Sequence, residues 1–182
     1  MAKKNKSNTS PPKFIRLLRE CSSLALLGVS LYLVLIFYGY DRADPGWSST
    51  SGASPIQNQG GHVGAWLADV LLYLFGISAL LWVLFFISLV SLGYRSINTV
   101  RIFDRRPLLV SVAGFIAFLA SSSGLEALQL YPPNIYLPYK PGGMLGNIIA
   151  ENLPQALGLT GSTLALLTLL AIGFSLFTGL SW

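Results

Sequence analysis

Catalysis needs groups that can share a proton, an electron pair or a metal ion, and in this chain of 182 residues they are scarce. His62 is the only histidine and Cys21 the only cysteine. No cysteine pair, carboxylate cluster or serine beside a base recurs at a spacing that would build a metal centre or an activated nucleophile. The sequence therefore predicts no catalytic, metal or cofactor site. Gly142, Gly143 and Gly146 form a Gly-Gly-Met-Leu-Gly run that superficially suggests a phosphate loop. No strand pattern precedes it and no Gly-Lys-Ser/Thr follows, so its glycines are expected to set a turn. Asp69 is the least comfortable charge. It is expected in the first turns of the second apolar segment, where a helix N-terminus and the headgroup zone favour a carboxylate. Its sharper reading is an intramembrane proton or partner site. Glu126 closes the third apolar segment.

The elements that would position these residues follow from composition. The chain is 53% hydrophobic and only 10% charged, which leaves too little charge to cover a water-soluble surface. Four apolar segments, about 21–40, 65–94, 107–125 and 161–182, each reach or approach the roughly 30 Å of a bilayer core at about 1.5 Å per residue. Backbone polar groups in lipid must bond to one another, so the predicted fold is an all-α membrane protein of four transmembrane helices. Ten of the twelve Lys and Arg residues precede the first segment or lie between the second and third. Only Arg42 and Lys140 fall in the other two loops, so both termini are placed on the cytoplasmic side.

The first segment reads as an uncleaved signal anchor, because it ends in Phe37-Tyr38-Gly39-Tyr40 without small residues at cleavage spacing. Cys21 at its cytoplasmic edge reads as an inert interfacial thiol. Residues 1–12 are too polar to offset the entropy of ordering and are expected to be a disordered cytoplasmic tail. Phe14 to Arg19 fits a short helix at the interface. Trp47, in a Ser- and Gly-rich outer loop, and Trp66 beyond it suit an interfacial aromatic belt. Pro107 suits a helix start.

The loop from Leu125 to Gly161 is apolar and rich in Pro and Gly. Tyr131, Tyr136 and Tyr139 suit the outer interface, while Leu145, Ile149, Leu153 and Leu157 recur at helical spacing and predict a short amphipathic helix interrupted at Pro154. An outer-side partner could dock there, or the loop could simply rest on lipid. Ala113, Ala117 and Ser121, and again Ala171, Ser175 and Gly179, recur every four residues. Small residues on one helix face allow close approach, within the chain or between copies.

Several strings also carry a family resemblance. Asp44-Pro45-Gly46-Trp47-Ser48, Asn58-Gln59-Gly60-Gly61 and Gly64-Ala65-Trp66-Leu67-Ala68-Asp69 resemble the first outer loop and second helix of FtsK-type DNA translocases. Gly142-Gly143-Met144-Leu145-Gly146, Leu157-Gly158-Leu159-Thr160-Gly161 and the run from Ile172 to Trp182 resemble the end of that family's four-helix membrane domain. The resemblance covers residues from about Pro12 onward. It implies a bacterial inner-membrane anchor at the division septum, contacting divisome proteins and holding a cytoplasmic ATP-driven DNA pump that works as a hexamer. The motor is expected outside this chain, so no nucleotide or nucleic acid is expected to bind this segment. The family's proline in the second helix is missing between Gly76 and Ser91, which bears on helix shape. A small transporter or channel subunit, with flux depending on Asp69 or Glu126, is the alternative.

Overall fold

The computed structural model describes residues 13–49, 55–95, 106–129 and 137–179. The expected tail at 1–12, most of the basic connection between Arg95 and Arg106, Tyr131, Tyr136 and the last three residues lie outside them. Every regular element among the described residues is helical: α1 (Lys13–Tyr38), α2 (Gly61–Phe75), α3 (Leu81–Arg95), α4 (Arg106–Gln129) and α5 (Gly143–Thr178), with a 3₁₀ turn, Gly76–Leu80, joining α2 to α3. Four stretches are long and apolar enough to cross a membrane: Glu20–Tyr38, Gly61–Ser91, Leu108–Gln129 and Gly143–Thr178. The chain is thus the all-α, four-span membrane protein predicted above.

Leu24, Leu31, Leu109, Ile116 and Leu164 are each at least 60% exposed, as expected of side chains whose solvent is lipid. Between the helices the packing uses small and aromatic residues. Leu33, Ile36 and Ala68 form one buried cluster, and Phe115, Leu119 and Phe177 form a second, flanked by Trp82 and Phe85. α4 and α5 make the closest pair, because Gly114 lies against the backbone at Phe177 and Gly173 against that at Phe118. Ser111 Oγ adds a 2.9 Å bond to the Phe177 carbonyl. α1 is tied to α3 by Ser30 Oγ donating to the Val83 carbonyl at 3.4 Å. The small-residue stripes contribute less to this contact. Ala113, Ala171 and Gly179 are exposed, and within them only Ser121 is fully buried, bonding the Ala117 and Phe118 carbonyls of its own helix.

The helix limits differ from expectation in four places. Phe14 to Arg19 is continuous with the first span inside the 26-residue α1, with no separate interfacial helix. α4 continues to Gln129, past the expected end at Leu125. The second helix, expected to be unbroken, is interrupted at Gly76, whose φ of 61° and ψ of −140° end α2. A side chain strongly disfavours such dihedrals, whereas glycine adopts them freely. The short helix predicted over Leu145 to Leu157 is present as the first part of α5, which starts at Gly143 and leads into the fourth span. Its interruption falls at Gly158 (φ 68°, ψ 170°), and Pro154 stays within the helix. Proline costs one internal hydrogen bond and bends a helix; positive φ at Gly158 stops the run. The two halves of α5 then converge, since Gly124 lies against both Ile149 and Leu166.

Candidate functional site

The polar side chains concentrate at the end of the bundle that carries the segments 39–49, 55–60 and 137–142, the outer end in the charge-derived orientation. Asp44, Asn58 and Asp69 are all buried there, at 3–4% exposure. Asp44 sits in a turn and accepts the backbone N–H groups of Gln57 and Asn58, both at 2.8 Å. Asn58 in turn donates through Nδ2 to the Ile36 carbonyl at 2.9 Å, near the end of α1, and accepts the Gly60 N–H at 2.8 Å. Tyr32 Oη donates to the Gly60 carbonyl at 3.3 Å. The loop is thereby fastened to the first helix at one end and to the start of α2 at the other.

Asp69 lies well inside α2, and not in its first turns as expected. A buried carboxylate needs donors, and the loop brings them: Ser48 N–H at 2.6 Å, Ser48 Oγ at 2.9 Å and Tyr40 Oη at 3.1 Å. Gly46 permits this approach, because a Cβ there would fall 2.6 Å from an Asp69 oxygen. Burial, and then the adjacent Asp69 charge, push the Tyr40 phenol above its ordinary value. Trp47, 55% exposed, meets Tyr73 edge-on at 5.0 Å, and Tyr73 packs on Tyr139 at 5.1 Å. Trp66 is about half exposed on α2.

A second polar constellation joins the broken helix to α4 and α5. The interruption at Gly76 frees backbone N–H groups that a continuous helix would have bonded. Glu126 of α4 receives the Ser78 N–H at 3.2 Å, together with the Ser78 hydroxyl. Ser78 Oγ also lies 2.8 Å from Ser122 Oγ, and Ser123 Oγ donates to the Phe75 carbonyl at 3.3 Å. Gly142 and Gly143 press against Gly76, and Gly142 and Gly146 against the Ser123 carbonyl, with no room for a Cβ. The Gly142, Gly143 and Gly146 run is therefore a helix start built for close backbone contact. Nothing in the sequence singled out Ser78, Ser122 or Ser123; the only signal was a carboxylate near the end of an apolar segment.

The structure thus gathers Trp47 and Asp69, through Ser48, into one knot and Gly142, Gly143 and Gly146 into a neighbouring one. It leaves Ser175 and Gly179 at the opposite end of α5, where the Gly179 N–H caps the helix on the Ser175 carbonyl at 2.9 Å. Among the described residues no group of three His, Cys, Asp or Glu side chains could hold a metal ion. The arrangement can fix a shaped outer surface on a membrane-embedded bundle.

Fold and site together define a multi-pass membrane domain. By sequence the chain belongs to the family described as the 4TM region of DNA translocase FtsK/SpoIIIE, whose model matches residues 15–182. It is 41% identical over 177 residues to DNA translocase FtsK 2 of Ralstonia nicotianae, covering 94% of this chain and 23% of that protein. It is 32% identical over 154 residues to DNA translocase FtsK of Shewanella oneidensis, covering 85% of this chain and 17% of that protein. With DNA translocase FtsK of Vibrio vulnificus the identity is 31% over 165 residues, covering 91% and 16%. The chain spans about a fifth of the length of these curated relatives. No solved structure matches it.

Proposed function

We propose that the chain is the inner-membrane anchor and divisome-interaction module of a DNA translocase acting in cell division and chromosome segregation. The observation that carries this reading is that the three family-like strings of the outer loop and α2 form one hydrogen-bonded unit around Asp44, Asn58 and Asp69. A loop held by buried bonds keeps its shape and loses little entropy when a partner docks. The spans meanwhile hold it in lipid. On this reading the motor belongs to the remaining length of the relatives, six copies assemble, and the assembly gathers at the septum. The exposed Ala171 and Gly179, with Ser175 between them, would face a neighbouring copy.

The test is imaging of dividing bacteria that carry residues 1–182 with a fluorescent protein fused after Trp182. A septal band supports the reading; uniform peripheral fluorescence removes septal recruitment from this segment. For assembly, Ser175→Ile should abolish the oligomer and retain the monomer fold. The interruption at Gly76 beside Glu126 is the one observation that favours a transporter or channel subunit. Its carboxylate already receives both donors of Ser78, which favours a structural role. Glu126-dependent flux in liposomes would reverse that preference.

A further inference from the structure

α2 belongs to an apolar stretch, Gly61–Ser91, that is 31 residues long. At about 1.5 Å per residue such a stretch exceeds what a bilayer core requires. The contacts at its two ends say where the surplus goes. At the start of α2, Gly60 and Gly64 pack against Ile36, which lies two residues from the end of α1 at Tyr38. At its other end, the Phe75 carbonyl bonds Ser123, six residues from the end of α4 at Gln129, and Gly76 packs on Gly142 and Gly143. Ile36 lies 17 residues beyond Arg19, and Ser123 lies 17 residues beyond Arg106. Each is therefore about 26 Å along its helix from a basic residue of the cytoplasmic side. Both ends of α2 meet spanning helices at the same height. A 15-residue helix running through the bilayer would place its ends about 21 Å apart in depth.

From these contacts we infer that α2 lies in the plane of the outer leaflet, at the boundary between headgroups and acyl chains, and that the second crossing is made by Gly76–Arg95 alone. Those 20 residues, five of them in the 3₁₀ turn, rise about 30 Å, one bilayer core. The occupant of the free face of α2 is outer-leaflet lipid. Val63, Trp66, Val70 and Leu74 fall on one side of the helix at spacings of three, four and four, with Val63 70% and Trp66 49% exposed. Gly64, Ala65, Ala68, Asp69 and Leu72 take the buried side. The sole charge of α2 is thereby turned into the Ser48 and Tyr40 contacts, and the uncharged face continues the lipid-facing surface of the spans. Trp66 and the nearby Trp47 are the residue type that favours this depth.

The inference needs only a membrane-embedded chain and is independent of the anchor reading. Single nitroxide labels at Val63→Cys, Val70→Cys and Leu74→Cys, each with Cys21→Ser, would be read in vesicles of phosphatidylethanolamine and phosphatidylglycerol by power saturation with oxygen and a water-soluble nickel chelate. Labels at Leu84→Cys and Ile87→Cys on α3 provide deep references. The expected result is one shared boundary depth for the three α2 labels, shallower than both α3 labels. A steady gradient reaching about 16 Å between positions 63 and 74 would show that α2 crosses the membrane. Full accessibility to the chelate, or exclusion of both reagents by a second copy, would equally overturn the lipid assignment. Three positions preserve the test if one label perturbs packing.

Discussion

Ser48 grips Asp69 twice, through its backbone N–H at 2.6 Å and its hydroxyl at 2.9 Å, while Tyr40 reaches the same carboxylate from just beyond the end of the first helix. The grip links a loop, a span and α2 through one charge, so its loss should be felt in all three. Asp69→Ala leaves the Ser48 N–H and the Tyr40 hydroxyl without their acceptor, at about 1–3 kcal/mol for each group that stays buried. Asp69→Asn keeps one acceptor oxygen and should cost less. Thermal unfolding of the two variants in detergent checks the order: a clear fall in Tm for Ala and a smaller one for Asn.

The same contact gives an alkaline limit. In the folded protein the Tyr40 phenol titrates above its ordinary value of 10.0, because burial and then Asp69 disfavour the phenolate. The unfolded chain therefore loses this proton first as pH rises. The stabilisation is complete below about pH 10 and is lost progressively above it, toward the folded-state value. Tyr40→Phe should start less stable at neutral pH and show a flatter decline above pH 10. Denaturant midpoints measured from pH 8 upward, alongside tyrosinate absorbance, compare the two profiles.

Helix pairing supplies a third outcome. Gly173 lies against the Phe118 backbone, with a Cβ placed 2.6 Å from its N atom, so Gly173→Val must push α5 from α4. Overpacking of this kind costs about 1–3 kcal/mol. Ala171→Val, at an exposed position two residues away, should leave the monomer's stability unchanged. Protease resistance in detergent distinguishes them, and equal sensitivity of both variants would contradict the assigned contact.

Glu126 should behave as a helix clamp. Glu126→Gln retains an oxygen for the Ser78 donors and should preserve most of the fold. Glu126→Ala strips the interruption at Gly76 of its acceptor and should loosen the 3₁₀ turn and the start of α5 together. Hydrogen exchange read at Ile77, Ser78 and Gly142 is the measurement, with faster exchange at all three in the Ala variant alone.

Much of this architecture was legible in the sequence, and the legible part shares one physical origin. Lipid leaves backbone groups no partner outside the chain, so four apolar segments had to become helices, and the uneven spread of Lys and Arg predicts their direction. The strings around Asp44, Asn58 and Asp69 likewise marked the outer loop and α2 as related to one family. What sequence periodicity could not supply was where the helices stop. Gly76 and Gly158 look like any other glycine in the sequence, yet they take positive φ and break their helices, Gly76 against the backbone of Gly142 and Gly143, while Pro154, the stronger breaker by type, stays in its helix. Nor could spacing place a donor from Ser48 on Asp69, 21 residues away, or Glu126 beside Ser78, 48 residues away. Burial of a carboxylate is favourable only when distant donors converge on it, and that convergence belongs to the tertiary structure. The tertiary structure also chose the glycine pair 114 and 173 over the alanine stripes for the closest helix contact, because backbone approach depends on which faces the whole bundle turns inward.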